Sequence, residues 1–209
     1  MTDDRGARLL LTERDALVPI LRATPAADLD RPTACAGWSV RDVLAHCAAA
    51  LHRVATGDLH RFTPADNERD VALRRDRPAD AVVDELATGY EAAATAFAAA
   101  PGRYDGVALG EWIHGGDVRE ALGRPDAYAS AGLDDALELL VGWSRRESAP
   151  YTQVTLPDRR LVLGEPGTAE AATLDTDPGT LLRLCAGRPA DPARYRLGGA
   201  GAGEYHLFA

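Results

Sequence analysis

Ser39-Val40-Arg41-Asp42-Val43-Leu44-Ala45-His46-Cys47-Ala48-Ala49-Ala50-Leu51-His52-Arg53-Val54 decides how this chain folds. Ser39 and Asp42 have the spacing of a capping box, in which a hydroxyl and a carboxylate satisfy the free amides of a first helical turn. Behind them Val43, Leu44, Cys47, Ala50, Leu51 and Val54 recur three and four positions apart. The spacing predicts a helix over about 40–56 with one apolar stripe. That stripe needs partners of the same period, and the chain supplies them on both sides. Residues 7–23 place Leu10, Leu11, Leu17, Ile20 and Leu21 at helical spacing. A third helix follows Pro78 through Val82, Val83, Leu86, Tyr90, Ala94 and Phe97 and stops before Pro101-Gly102. A fourth covers about 107–122 and ends at Gly123, and a fifth covers 133–147.

Between the second and third helices, residues 57–77 are polar and proline-marked without a clear period, and read as a loop. After Pro150 the texture changes. Tyr151 to Leu156 alternates with period two, and Arg160 to Leu163 reads as its hairpin partner across Pro157-Asp158. Ala171 to Leu174 reads as a further strand and Pro178 to Ala186 as a short helix. The fold class expected is mainly α, with a helical bundle over 1–149 and a small α/β domain over 150–209.

Composition agrees and narrows the function. Apolar residues make up 46% of the 209, much of it alanine, while aromatics are 6%, which favours tightly packed helices over a thick sheet core. The net charge is −9, and the basic residues form pairs such as Arg74-Arg75 and Arg145-Arg146, never a run. A nucleic-acid partner needs a concentrated positive face, so none is expected. Cys35, Cys47 and Cys185 are too few and odd in number for a disulfide framework. No signal-peptide pattern opens the chain and no apolar stretch reaches a membrane span, so a reducing cytoplasm is the expected compartment.

The candidate chemistry lies in two of the predicted helices. His114 stands three residues after Glu111 and three before Asp117, and residues at that spacing share a helix face. His46 has Asp42 one turn before it, in reach of its far ring nitrogen. Helices that each turn a ligand inward hold metals inside bundles. His46, Glu111 and His114 thus form a candidate three-ligand divalent-metal site, zinc first among the choices, with an open position as in catalytic centres. Asp42 and Asp117 would stand behind the ligands. The plainer reading makes His114 a packed core residue and Glu111 and Asp117 helix charges, with Asp117 paired to Arg103 or Arg119.

At these residues the chain resembles a known family. Cys35-Ala-Gly-Trp-Ser-Val-Arg-Asp-Val-Leu-Ala-His46 resembles a signature of DinB-like proteins, specifically relatives of mycothiol-dependent maleylpyruvate isomerase. Trp112-Ile-His-Gly-Gly-Asp-Val-Arg-Glu-Ala-Leu-Gly123 resembles the second signature of that family, and Leu181-Leu-Arg-Leu-Cys-Ala-Gly-Arg188 an element of its small C-terminal domain. The resemblance implies a DinB-like four-helix bundle with a zinc-like metal between its second and fourth helices, held by His46 and a carboxylate-histidine pair. The family's carboxylate stands four residues before the histidine, where this chain has Gly110, and Glu111 stands three before.

The resemblance also implies a metal- and thiol-dependent enzyme, with mycothiol as cosubstrate, acting on a small electrophile. A coordinated thiol is deprotonated and nucleophilic. Addition, rotation and departure give cis–trans isomerisation of a maleylpyruvate-like acid; addition without departure gives S-transfer. The rival reading is a metal-free, degenerate small-ligand-binding protein, and the Gly110/Glu111 shift is its support. Arg188 is the candidate for a substrate carboxylate, or else a surface helix terminus. Trp38 reads as a seal at the start of the second helix, Cys47 as an apolar filler beside the site, and Cys35 as an exposed loop residue. A monomer or a homodimer suits such a bundle.

Overall fold

The computed structural model describes residues 4–58, 63–125, 127–167 and 170–208. Helix α1 spans Arg5–Ala23, α2 Val40–Thr56, α3 Pro64–Arg74, α4 Ala79–Ala99, α5 Asp105–Ala121 and α6 Leu133–Arg146. There follow strands β1 (Thr152–Thr155), β2 (Arg160–Leu163) and β3 (Ala172–Thr176), helix α7 (Pro178–Cys185) and strand β4 (Tyr195–Gly198). Two compact units divide the chain, Met1–Asp135 and Ala136–Ala209.

Local chemistry sets the helix ends in the first unit. The Asp4 carboxylate accepts from Ala7 N at the start of α1. Ser39 and Asp42 close the expected capping box of α2, and Gly57 ends that helix at φ +74°, a conformation that costs glycine little. Helix α1 packs on α4 and α5, and α2 packs on the same two, so the four form a closed ring. Leu9, Leu10, Leu17, Val43, Leu44, Leu51, Leu86, Tyr90, Leu109 and Trp112 fill it, each at most 2% exposed. Trp112 Nε1 donates to Ala131 O at 2.9 Å, and Arg8 grips Asp135 at 2.6 and 2.8 Å, which fixes the chain after α5.

The stretch read as a loop over 57–77 contains α3. Thr63 caps it, Pro64 occupies its first turn, and only Asp70 and Val71 are buried. A helix that buries so little shows no apolar period, so residues 64–74 carry no stripe to read. It is tied to α2 by the buried Arg53–Asp70 ion pair.

In the second unit the strand order is β2-β1-β3-β4, with β1 antiparallel to β2 and parallel to β3, and β3 antiparallel to β4. Thr152 pairs with Leu163 and Thr155 with Arg160, the register expected of a hairpin across Pro157-Asp158. Val154, Leu163, Leu174, Leu181, Cys185 and Tyr205 make its core. The fold is a DinB-like helical bundle with a small four-stranded α/β region near its C-terminus. None of the described helices is long and apolar enough to cross a membrane.

Candidate metal centre

The connection into α2 carries the first donor. Thr33 N donates to Trp38 O at 3.0 Å, Trp38 N to Cys35 O at 3.0 Å and Val40 N to Arg31 O at 2.9 Å. Pro32 and Ser39 pair as an isolated bridge, and Gly37 takes φ +83° to close the bend. This folded-back turn points Cys35 inward, where it is 7% exposed. The sequence reading of Cys35 as an exposed loop residue is therefore corrected. Backbone pairing between residues several positions apart buries it, and no local pattern announces that.

Helix α5 carries the other two donors. Cys35 Sγ donates to Asp117 Oδ2 at 3.0 Å and stands 3.6 Å from His114 Nδ1, while His114 Nδ1 is 3.2 Å from Asp117 Oδ2. One sulfur, one nitrogen and one oxygen thus lie within hydrogen-bonding range of each other, largely shielded from water. Four-coordinate zinc with bonds of about 2.0–2.3 Å separates its ligand atoms by roughly 3.3–3.7 Å. The observed spacings fall a few tenths of an ångström short of those edges or within them. Asp117 is fully buried, and its Oδ1 accepts from the Tyr128 hydroxyl. Tyr128 stands in a notch at Gly116, where a Cβ would come within 2.5 Å of its ring.

A second imidazole flanks the cluster. The His46 and His114 ring centroids are 5.1 Å apart, edge to face at 78°. Trp38 lies against His46 with centroids 5.0 Å apart, and its Nε1 donates to Glu68 of α3 at 2.8 Å. Helix α3 thereby holds the indole over the His46 side of the site.

The family model described as "Mycothiol maleylpyruvate isomerase N-terminal domain" matches residues 10–124, more than half of the chain. The chain belongs to this family. Its matched span includes Cys35, His46, Glu111, His114 and Asp117. No curated protein matches the chain. Solved structures similar to this member of the maleylpyruvate isomerase family include a mycothiol-dependent maleylpyruvate isomerase, at 14% identity and a TM-score of 0.56. A histidine-to-alanine variant of such an isomerase is similar at 13% identity and a TM-score of 0.58. Each comparison covers 94% of both chains and establishes the shared fold.

The structure brings two of the three expected ligands, His46 and His114, side by side. Glu111 is not among the three donors that lie within 4.8 Å of one another. It is 3% exposed, hydrogen-bonds the Cys47 thiol, and keeps an Oε2 with no hydrogen-bond partner. Burial pushes its carboxyl up to about 8, with Cys47 opposing and Glu13 adding to the rise. Asp42 Oδ2 accepts from Ser39 N at 3.0 Å and Ser39 Oγ at 2.7 Å, so its carboxylate closes the helix cap. Asp117 meets Cys35, His114 and Tyr128, and Arg119 donates to Glu13 at 2.9 Å. Arg188, in the second unit, donates from Nη1 to Ala186 O at 3.0 Å. His60 lies outside the described residues. Sequence reasoning missed Tyr128, which carries no motif signal at all.

Glu13, Cys47, Tyr90, Glu111 and Arg119 make an acidic pocket inside the helix ring, each at most 4% exposed, and Cys35 and Asp117 act on Cys47 from beside it. Burial pushes Cys47 and Tyr90 well above their usual ranges and lifts Glu13 to about 7 against the pull of Arg119. Raised carboxyls bind protons in the folded chain that the unfolded chain has released. Stability gained this way is full below about pH 4.5, falls as pH rises from there, and is gone above about 8. Thermal melts are expected to show a fall on the order of a few kcal/mol between pH 5 and 9. Glu111→Gln, which stays neutral, is expected to flatten that fall, and an unchanged slope would refute the assignment.

Proposed function

We propose that this family member is a metal-dependent enzyme that uses a low-molecular-weight thiol, mycothiol, to act on a small electrophilic acid, with cis–trans isomerisation as the reaction. The observation that carries this reading is the buried sulfur–nitrogen–oxygen donor group around His114, with the His46 imidazole beside it. The donor chemistry fits a borderline-soft divalent cation such as zinc. When bound, such a cation supplies Lewis acidity that makes a coordinated thiol a thiolate at neutral pH.

The chain's own residues do the rest. His114 presents its Nδ1 to the donor group, and the His46 ring, with its centroid 5.1 Å from that of His114, is the further nitrogen donor of the proposed centre. Glu111, the carboxylate of the sequence-derived ligand set, offers an unpartnered Oε2 but faces Cys47. Trp38 covers the His46 ring and limits water on that side.

The cosubstrate thiolate adds to the alkene of the acid, the carbon–carbon bond rotates, and the thiolate leaves as the alkene reforms. If the thiolate stays, the same site performs S-transfer. Proton NMR of a maleylpyruvate-like acid with catalytic mycothiol separates the two. Thiol recovered unchanged beside the trans isomer supports isomerisation, thiol consumed in proportion to product shows S-transfer, and no reaction with either outcome defeats the proposal.

One observation favours the metal-free alternative. The carboxylate position of the family signature is Gly110 here, and the Glu111 carboxyl is engaged with Cys47. Substoichiometric metal in chain purified without a histidine tag, together with no thiol-dependent turnover, would establish that alternative.

A further inference from the structure

The donor atoms around His114 point to a particular ligand set, and this step rests on the metal-dependent reading above. We infer that the cation of this chain is bound by Cys35 Sγ, His114 Nδ1 and Asp117 Oδ2, a thiolate–imidazole–carboxylate centre in which Tyr128 is a positioning residue.

Helix geometry explains the carboxylate. Gly110, one turn before His114, offers no ligand, and the Glu111 carboxyl is engaged with Cys47 in the acidic pocket. Asp117 is three residues after His114, on the same face of α5 and the same side as Cys35. The three donor–donor distances, 3.0, 3.2 and 3.6 Å, are close to the edges of a tetrahedron around zinc, roughly 3.3–3.7 Å. Only a slight opening of the cluster is needed to admit the ion.

The surroundings are built to hold this arrangement. Thr33 Oγ1 accepts from Cys35 N at 3.1 Å and itself donates to Trp38 O at 2.9 Å, so the cysteine backbone is fixed. On the other side, the Tyr128 hydroxyl holds Asp117 Oδ1, leaving Oδ2 directed at the sulfur and the imidazole. Gly116 makes room for the Tyr128 ring; any larger residue there would push the hydroxyl off the carboxylate. Outer partners of this kind orient ligating carboxylates and imidazoles in metal sites generally.

Cation binding releases the Cys35 thiol proton to solvent. A dication with one thiolate, one carboxylate and a neutral imidazole is neutral overall, whereas two imidazoles and one carboxylate would leave one positive charge. The sulfur ligand also favours zinc, cobalt or cadmium over magnesium and manganese.

The test is cobalt(II) titration of the chelator-treated full chain in thiol-free buffer, alongside X-ray absorption of the zinc-loaded protein. An intense near-ultraviolet sulfur-to-cobalt band saturating at one ion per chain is expected, absent in Cys35→Ser and retained in Cys47→Ser. Zinc should show one sulfur neighbour at about 2.3 Å, a measurement that needs no variant to fold. Tyr128→Phe should weaken cobalt binding on the order of ten- to a hundredfold while keeping the band. One ion bound with only nitrogen and oxygen neighbours, or a band lost in Cys47→Ser instead, would overturn this ligand set and leave the metal-dependent reading standing. No binding of either ion would overturn both.

Discussion

Replacing His114 by alanine is expected to lower thiol-dependent turnover by at least about a hundredfold while leaving the helical bundle folded. The reason is chemical. A free thiol is only a few per cent ionised at neutral pH, so losing the group that organises its activation costs roughly thirtyfold through the thiolate fraction alone. Loss of positioning adds to that. His114 is at the centre of the donor group, in contact with both Cys35 and Asp117, whereas the acidic pocket that helps hold α5 in the helix ring does not use it. Circular dichroism and turnover measured on one preparation check both halves. A variant that keeps a tenth or more of wild-type turnover would show that His114 does not organise the chemistry. His46→Ala should fall in the same direction, since its ring lies 5.1 Å from that of His114.

The largest effect on stability is expected from Arg119→Ala. Arg119 is 4% exposed and Glu13 is fully buried, and they meet at 2.8 and 2.9 Å between α5 and α1. Gly115 is part of the same fit, because a Cβ there would overlap Glu13 Oε1. Removing one partner of a buried pair leaves the other stranded without water, at a cost of about 3–5 kcal/mol. For a chain of this size that lowers the melting temperature by roughly 10 °C. Neutralising both partners with Glu13→Gln and Arg119→Met should restore much of the loss, since most of the penalty is the uncompensated charge. Denaturant unfolding of the two variants is the check; a loss below about 1 kcal/mol in Arg119→Ala would contradict it.

The helices that bury a clean apolar stripe were legible in the chain itself. Expected spans of 7–23 and 40–56 compare with Arg5–Ala23 and Val40–Thr56 in the structure. Helix α5 was found through its signature residues more than its period, because it is buried on nearly every side and carries Glu111, Asp117 and Arg119 inside. Helix α3 buries two residues and β4 is a four-residue edge strand after a proline-rich approach, so neither leaves a strong pattern.

The site divides in the same way. His46 and His114 were readable because each follows a motif on a helix, and the helices are neighbours in the ring. Cys35 and Tyr128 were not, because each reaches the site through a turn whose path depends on contacts distant in sequence. Glu111 and Asp117 flank His114 at equal spacing, so sequence distance could not rank them. Side-chain direction distinguishes them: one carboxyl meets Cys47, the other meets Cys35.

A cation at His114 underlies every step proposed above, and the direct measurement is metal content by mass spectrometry of chain purified without a histidine tag, wild type beside His114→Ala. One zinc-like ion per wild-type chain, falling below about a tenth of an ion in the variant, is the result expected of a single site that needs His114 as a ligand. Equal metal in both proteins, or none in the wild type after incubation with zinc, would contradict it.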